Sequence, residues 1–197
     1  MKRHLPRLIV TKWFLIFILT YPTISFACPT IQVCFTPGEN CTKKIVDAIN
    51  AAQSSLYIQA YSFTSAPIAK AVVAAKERGL DVKVILDKSQ KNQRYSSSRY
   101  LVNQSIPTWI DYKPAIAHNK IMIIDNSKII TGSFNFTSAA QNKNAENLLI
   151  IDDSNLAQKY FKNWEARKIV STPLNADTSK NATSYHFPYT QENVVPQ

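Results

Sequence analysis

Two different hydrophobic periods alternate along the first half of the chain. Residues 31–35 and 56–63 alternate between apolar and polar positions and are rich in branched and aromatic side chains, which predicts two strands. Residues 41–53 place apolar positions at helical spacing, and residues 65–78 begin near a proline and stop at a glycine, so both stretches predict helices. Residues 82–87 predict a third strand. This β-α-β-α-β order predicts an α/β protein with a mixed, largely parallel β-sheet flanked by helices.

The second half of the chain is predicted to add a hairpin and a closing helix. We expect strands at residues 120–124 and 128–131, joined by a tight turn, and a further short strand at 148–151. Residues 152–170 carry an apolar stripe that predicts a helix packed on the sheet. We expect Trp164, which lies in this stripe, to belong to the core.

Residues 88–104 separate the two halves and are mostly polar. This segment is interpreted as a mobile basic loop or an irregular helix. A solvated surface is its plainest role, and contact with a nucleic-acid backbone is the functional alternative. The alternative depends on its cations and interleaved tyrosines: Lys88, Lys91, Arg94, Tyr95, Arg99 and Tyr100.

The 197-residue chain has a formal net charge of +10, which suits a polyanionic partner such as nucleic acid or an anionic lipid surface. Its N-terminus changes that picture, because basic residues precede an apolar run at 13–19 and small residues end at Ala27. We expect residues 1–27 to be a secretory signal peptide and not an anchor, since the run is too short to cross a bilayer. Cleavage removes four positive charges and no negative one, which leaves +6.

The signal peptide predicts a secreted or periplasmic protein, with membrane anchoring as the lesser alternative. Residues 28–170 then form the folded domain, and residues 171–197 form a polar, loosely ordered tail.

The three cysteines all lie near the predicted mature N-terminus. Export favours a disulfide, with Cys34 and Cys41 as the preferred pair. Cys28 directly follows the predicted cleavage site, so its free, bridged and lipidated states all stay open. Three cysteines with no adjacent histidine do not complete a zinc site.

The segment 117–136, AHNKIMIIDNSKIITGSFNF, places polar side chains in an apolar hairpin. Because side chains alternate along a strand, His118 and Lys120 are expected to project from the same face. Asp125 has the opposite parity and falls at the turn, where aspartate commonly binds backbone N–H groups. Asp125 is therefore interpreted as a scaffold residue.

The end of the same segment supplies further polar groups. Ser133 and Asn135 share one parity, and Gly132 before them permits a tight backbone. Lysine, serine and asparagine side chains bind phosphate oxygens, and histidine attacks phosphorus or transfers a proton. A carboxylate cluster of the kind that magnesium or calcium nucleases use is absent here, so we expect no metal and no cofactor.

The spacing H-x-K-x4-D-x6-G-S-x-N resembles the motif of the phospholipase D superfamily, whose small bacterial members are periplasmic or secreted endonucleases that work without metal. Close relatives are labelled phospholipase D. Residues 61–87 and 143–152 resemble the same members, with Glu146 at a matching position. The resemblance implies a phospholipase D-like α-β-α sandwich. The motif is met by His118, Lys120, Asp125, Gly132, Ser133 and Asn135.

In that family the motif histidine forms a phosphohistidine intermediate, and a second motif histidine protonates the leaving oxygen and activates water. This chain has one motif copy, and its other histidines are His4 in the signal and His186 in the tail. The resemblance therefore implies a homodimer that joins two copies of His118 at its two-fold axis. It also assigns phosphate binding to Lys120, Ser133 and Asn135, and it assigns Glu146 the role of orienting His118.

These observations predict an exported, metal-independent phosphodiesterase that acts as an endonuclease on DNA or RNA. A phospholipase D acting on phospholipid headgroups is the first alternative, because the motif recognises a phosphodiester and does not specify the groups that flank it. A non-catalytic nucleic-acid-binding protein is the second.

Overall fold

A computed structural model describes residues 29–175. The predicted signal peptide, Cys28, His4, His186 and the tail from residue 176 lie outside the described residues.

Eight strands and five α-helices make up this part of the chain. The strands are β1 Thr30–Thr36, β2 Ser55–Ala60, β3 Asp81–Asp87, β4 Thr108–Asp111, β5 Lys120–Ile124, β6 Lys128–Gly132, β7 Glu146–Asp152 and β8 Thr172–Pro173. The helices are α1 Cys41–Ala51, α2 Ala66–Glu77, α3 Ser98–Asn103, α4 Ser138–Asn142 and α5 Ser154–Val170. Every predicted strand and helix is present to within a few residues, whereas β4, β8 and α4 were not predicted. The basic segment forms the 3-10 turn Lys88–Lys91 and α3.

The eight strands form one mixed sheet in the order β1-β7-β6-β5-β2-β3-β4-β8. The predicted α/β class and mixed sheet are confirmed, but the prediction of a largely parallel sheet is wrong. Only β2–β3 and β3–β4 pair in parallel, and the remaining neighbours are antiparallel. The physical reason is that β1 pairs with β7 at the far edge instead of with β2, and that β5 and β6 are joined by the turn 125–127, which is too short for a parallel crossover.

Helices cover both faces of the sheet, which confirms the α-β-α sandwich. Alternate residues of β2 and β5 divide between two buried clusters, one under α1 and α2 and the other under α5. Trp164 of α5 is 2% exposed and donates from Nε1 to the Ile58 carbonyl oxygen at 2.9 Å, so its predicted core position is confirmed. Ile169 was expected in the same stripe but is 82% exposed.

The disulfide predicted between Cys34 and Cys41 is present and ties β1 to the start of α1. The hydroxyl of Thr36, the last residue of β1, donates to the Ala140 carbonyl oxygen of α4 at 2.9 Å. The disulfide and this hydrogen bond thus attach the C-terminal end of the edge strand β1 to α1 and α4, beside the start of β7. In the described range 29–175, we find no helix with the length and apolarity needed to cross a membrane.

Asp125 occupies the hairpin turn that its strand parity predicted. Its φ is +52°, a conformation that Asp and Asn adopt more readily than most residues. Its carboxylate accepts hydrogen bonds from the backbone N–H groups of Gln53, Ser54 and Ser55 at 2.7 to 3.2 Å, and also from the Ser54 hydroxyl at 2.9 Å. Burial alone would raise the pKa of the Asp125 carboxyl, but these donors outweigh burial and lower the pKa. Asp125 therefore fastens the hairpin to the chain entering β2.

We expect the substitution Asp125→Asn to lower the free energy of unfolding by about 1.5–3 kcal/mol at neutral pH, the usual worth of hydrogen bonds to a charged group. Asparagine tolerates the same backbone conformation, so the change mainly removes the charge. Because the folded-state pKa lies below the ordinary value of 3.8, the stabilisation is complete above that value and disappears as the pH falls through the folded-state pKa. Urea unfolding of both proteins between pH 7 and pH 3 measures this. A stability difference that stays constant over that range would contradict it.

Candidate active site

Four strand ends meet at one edge of the sheet and bring the predicted motif residues together. His118 lies just before β5, Ser133 follows β6, and Glu146 begins β7. Because β5, β6 and β7 are antiparallel neighbours, the start of β5, the end of β6 and the start of β7 all lie at this edge. Tyr61, directly after β2, reaches the same edge, and its backbone N–H donates to the Asn119 carbonyl oxygen at 2.7 Å.

His118 presents an exposed imidazole at this edge. Its ring lies against the phenol of Tyr61, with 4.5 Å between ring centroids. Within residues 29–175 the ring has no hydrogen-bond partner, so Tyr61 is its direct support. An exposed imidazole with a free nitrogen is suited to attack a substrate from solvent.

Lys120 is only 7% exposed, and its side chain reaches the same tyrosine. Its ammonium donates to the His118 carbonyl oxygen at 2.8 Å and lies 5.0 Å from the Tyr61 ring centroid. Burial lowers the pKa of Lys120, and the nearby charge of Glu146 opposes this lowering. The strand parity predicted that His118 and Lys120 would share a face, and both do meet on Tyr61.

Gly132 brings Ser133 close to β7. Its φ is +145°, and a Cβ at this position would lie 2.3 Å from the Asn147 carbonyl oxygen, so only glycine fits. That same oxygen accepts from the backbone N–H groups of Ser133 and Phe134 at 3.1 and 3.2 Å. The predicted tight backbone before Ser133 is confirmed, and its cause is the close approach of β6 to β7.

Glu146 contacts a different partner from the one expected. Its carboxylate accepts from the Ser133 hydroxyl at 2.5 Å and from the Asn144 side-chain amide at 2.9 Å. No hydrogen bond joins Glu146 to His118 within the described chain, so the predicted orienting contact is not formed inside one subunit. The reason is topological, because β6 lies between β7, which carries Glu146, and β5, which follows His118.

Asn135 is fixed at the same edge of the sheet, and its side-chain oxygen is free to accept a hydrogen bond. Its flanking residues Phe134 and Phe136 are fully buried, and the Phe136 carbonyl oxygen accepts from the backbone N–H groups of Thr64 and Ser65 at 2.9 Å. The Asn135 Oδ1 atom is buried and has no hydrogen-bond partner among the described residues. Buried polar atoms without partners are rare and often mark functional sites.

The assembled edge suits a tetrahedral anion. An exposed imidazole and a buried ammonium come from the start of β5, and a hydroxyl and a carboxamide come from the chain after β6. The ammonium and the polar donors can stabilise charge on phosphate oxygens. Across residues 29–175, no group of three or more His, Cys, Asp or Glu side chains is placed to hold a metal ion.

Two residues of this edge were missed by sequence reasoning. Tyr61 was assigned only to a strand, although an aromatic residue at the end of an apolar strand was its visible signal. Asn144 lies two residues before Glu146 and fixes one of its oxygens, a contact that depends on a bend after α4.

A mixed sheet between helices, with histidine, lysine, serine and asparagine at one edge, defines a hydrolase class that acts on phosphodiesters. Comparison with known proteins agrees with this class. A family model described as cardiolipin synthase, PLD-like domain, matches residues 45–167. A phospholipase D of Rickettsia bellii is 46% identical over 138 residues, which cover 70% of this chain and 69% of the Rickettsia chain.

More distant relatives have the same fold or motif region. The mitochondrial cardiolipin hydrolase of Homo sapiens is 31% identical over 128 residues, covering 65% of this chain and 51% of the human one. The crystal structure of Nuc, a phospholipase D family member from Salmonella typhimurium, matches with a TM-score of 0.73 and 38% identity, covering 75% of this chain and 99% of Nuc. The chain belongs to the phospholipase D superfamily, and it is a phosphodiesterase of that superfamily.

Proposed function

We propose that this protein is an exported endonuclease that hydrolyses DNA or RNA without a metal ion. The observation that carries the proposal is the cluster of His118 and Lys120 on Tyr61, with Ser133 and Asn135 at the neighbouring strand ends. The exposed imidazole is available to a substrate, while the buried ammonium is available to the phosphate oxygens beside it.

In the proposed reaction, an unprotonated His118 nitrogen attacks phosphorus, and the bond to the leaving oxygen breaks. A second histidine donates its proton to that oxygen. The same histidine then takes a proton from water, the resulting hydroxide attacks phosphorus, and the phosphorus–nitrogen bond breaks to restore His118. The residues at positions 120, 133 and 135 hold the non-bridging oxygens through both steps.

The second histidine is proposed to come from another subunit. Within residues 29–175, His118 is the single histidine, so one described subunit supplies one imidazole. A two-fold axis at the sheet edge would bring two copies of His118 to one phosphate. Each Glu146 would then be positioned to contact the His118 of the other subunit.

Nucleic acid is the preferred substrate because of the charge around the sheet edge. β3 is parallel to β2, so the exposed cations that follow β3 lie at the same edge as Tyr61. Exposed basic side chains beside a phosphodiester site suit a polyanionic chain. The cations are Lys88, Lys91 and Arg94. The phospholipid alternative is favoured by the names of the Rickettsia and human relatives. Against it, residues 29–175 contain no long apolar loop that would hold acyl chains.

The proposal is tested by one assay with several substrates. Purified protein is incubated with plasmid DNA, RNA and phosphatidylcholine vesicles in excess EDTA, beside the variant His118→Ala. We expect the protein to cleave at least one nucleic acid, whereas the variant shows background only. Release of choline or phosphatidic acid that depends on His118, without cleavage of DNA or RNA, would instead establish the lipid activity. Equal signals from protein and variant on every substrate would refute both.

A further inference from the structure

A polar cleft of about 310 Å³ opens beside the candidate active site. It is lined by Tyr61, Ser62, Ser89, Gln90 and Gln93. Tyr61 also contacts His118, with 4.5 Å between ring centroids, so a single side chain forms a wall of both the cleft and the site. A group bound in the cleft would therefore be adjacent to a phosphate bound at His118.

The wall opposite Tyr61 is anchored to the core. Gln90 is 2% exposed, and its side-chain oxygen accepts from the Phe63 backbone N–H at 3.1 Å. The Ser98 hydroxyl donates to the Gln90 carbonyl oxygen at 3.0 Å, and the Ser97 backbone N–H donates to the Phe63 carbonyl oxygen at 2.8 Å. The cleft is thus built from two segments that are bonded to each other, and it is preformed.

These bonds determine which atoms Gln93 presents. Since the Phe63 N–H occupies the Gln90 oxygen, the Gln90 amide nitrogen faces outward and donates to the Gln93 side-chain oxygen. The Gln93 nitrogen is left without a hydrogen-bond partner in the part of the chain that the structure describes. Gln93 therefore offers a free donor at the cleft.

The chemistry of the lining selects among ligands. No carboxylate lines the cleft, and one aromatic ring is present. A cationic headgroup such as choline needs an aromatic cage or anionic partners, and this lining offers neither. Guanine, cytosine, thymine and uracil are flat and uncharged, and they present carbonyl acceptors that suit the Gln93 donor and the serine hydroxyls, whereas adenine has no carbonyl group. The volume lies at the lower end of the range for small-molecule sites, which suits a single nucleoside.

We propose that this cleft binds the nucleobase next to the cleaved phosphate and reads its carbonyl group through Gln93. The cleft would give the enzyme a preference among bases at that position. This inference rests on the proposed endonuclease function and adds a specificity site to it.

The variant Gln93→Glu tests the inference. A carboxylate still accepts from the Gln90 amide, but it replaces the free donor with an acceptor. We expect cleavage beside the preferred base to slow about tenfold, the size of one lost hydrogen bond, and the ranking of the four bases to change. The substrates are short oligonucleotides with one cleavable phosphate flanked by each base in turn or by an abasic sugar. Cleavage beside the abasic sugar should stay within about twofold of that by the unaltered protein.

Two further variants distinguish the effect of an added negative charge from the effect of losing the Gln93 hydrogen-bond donor. Gln104→Glu adds the same charge at an exposed position before β4, at the opposite edge of the sheet, and should behave as the unaltered protein. Gln93→Met removes the donor without adding charge and should also flatten the base preference. If Gln93→Glu and Gln104→Glu behave alike beside all four bases, the cleft assignment is overturned while the endonuclease stands. If no oligonucleotide is cleaved above the His118→Ala background, both are overturned.

Discussion

Replacing His118 with alanine is expected to reduce phosphodiester hydrolysis by at least about a thousandfold, because the variant homodimer lacks both the attacking imidazole of the first step and the imidazole that donates and accepts the proton. The larger consequence concerns mixed dimers. If one composite site uses two copies of His118, a dimer with one unaltered and one His118→Ala subunit has a single imidazole and should be close to inactive. Purification of this dimer through two different affinity tags, followed by the EDTA-resistant assay, measures the effect.

Two comparisons make the mixed-dimer result decisive. A dimer of two unaltered, differently tagged subunits provides the reference, and half of its activity in the mixed dimer would mean two independent sites. His186→Ala provides the second comparison, because His186 is the other histidine of the predicted mature chain. We expect this variant to be fully active. If it is inactive, the second imidazole comes from His186 and not from a partner subunit.

Replacing Gly132 with alanine is expected to lower the free energy of unfolding by about 3 kcal/mol or more, from backbone strain and overpacking together. The new Cβ would lie 2.3 Å from the Asn147 carbonyl oxygen, which is backbone and cannot move without displacing β7. The same shift would separate this oxygen from the Ser133 N–H and so lower activity at temperatures where the variant is folded. Urea unfolding with the disulfide intact gives the stability change.

Gly79→Ala is the matched control for this effect. Gly79 also has a positive φ, +93°, but nothing lies within 4 Å of an added Cβ. Its substitution should cost only the backbone strain, about 1–2 kcal/mol, and should leave activity unchanged. Equal losses of stability in the two variants would show that the approach of β6 to β7 is not what requires glycine at position 132.

Local features of this protein could be predicted because neighbouring residues determine them. The turn position of Asp125 follows from strand parity, and the pairing of Cys34 with Cys41 follows from their proximity along the chain. Both are present. The expectation that His118 and Lys120 lie together likewise carried over, since it depends on two positions that are two residues apart at the start of β5.

Long-range features could not be predicted from the same patterns. The position of β1 beside β7 joins segments that are more than a hundred residues apart, and no local period indicates it. This pairing adds one of the antiparallel neighbours that outnumber the parallel ones in the sheet. The contacts of Glu146 within one subunit are also long-range, because the order of β5, β6 and β7 decides which strand end the carboxylate reaches.

The sequence by itself therefore determined the family, most of the helices and strands, and the set of reactive side chains, because each depends on residue type and spacing along the chain. Tertiary structure alone decided what those side chains contact. Tyr61 holds His118 and Lys120 because β2 ends beside the start of β5, and the same tyrosine borders the cleft at Gln93 because β3 is the other neighbour of β2. Contacts between strand ends depend on strand order, which is set by the packing of the whole sheet between its two helical layers.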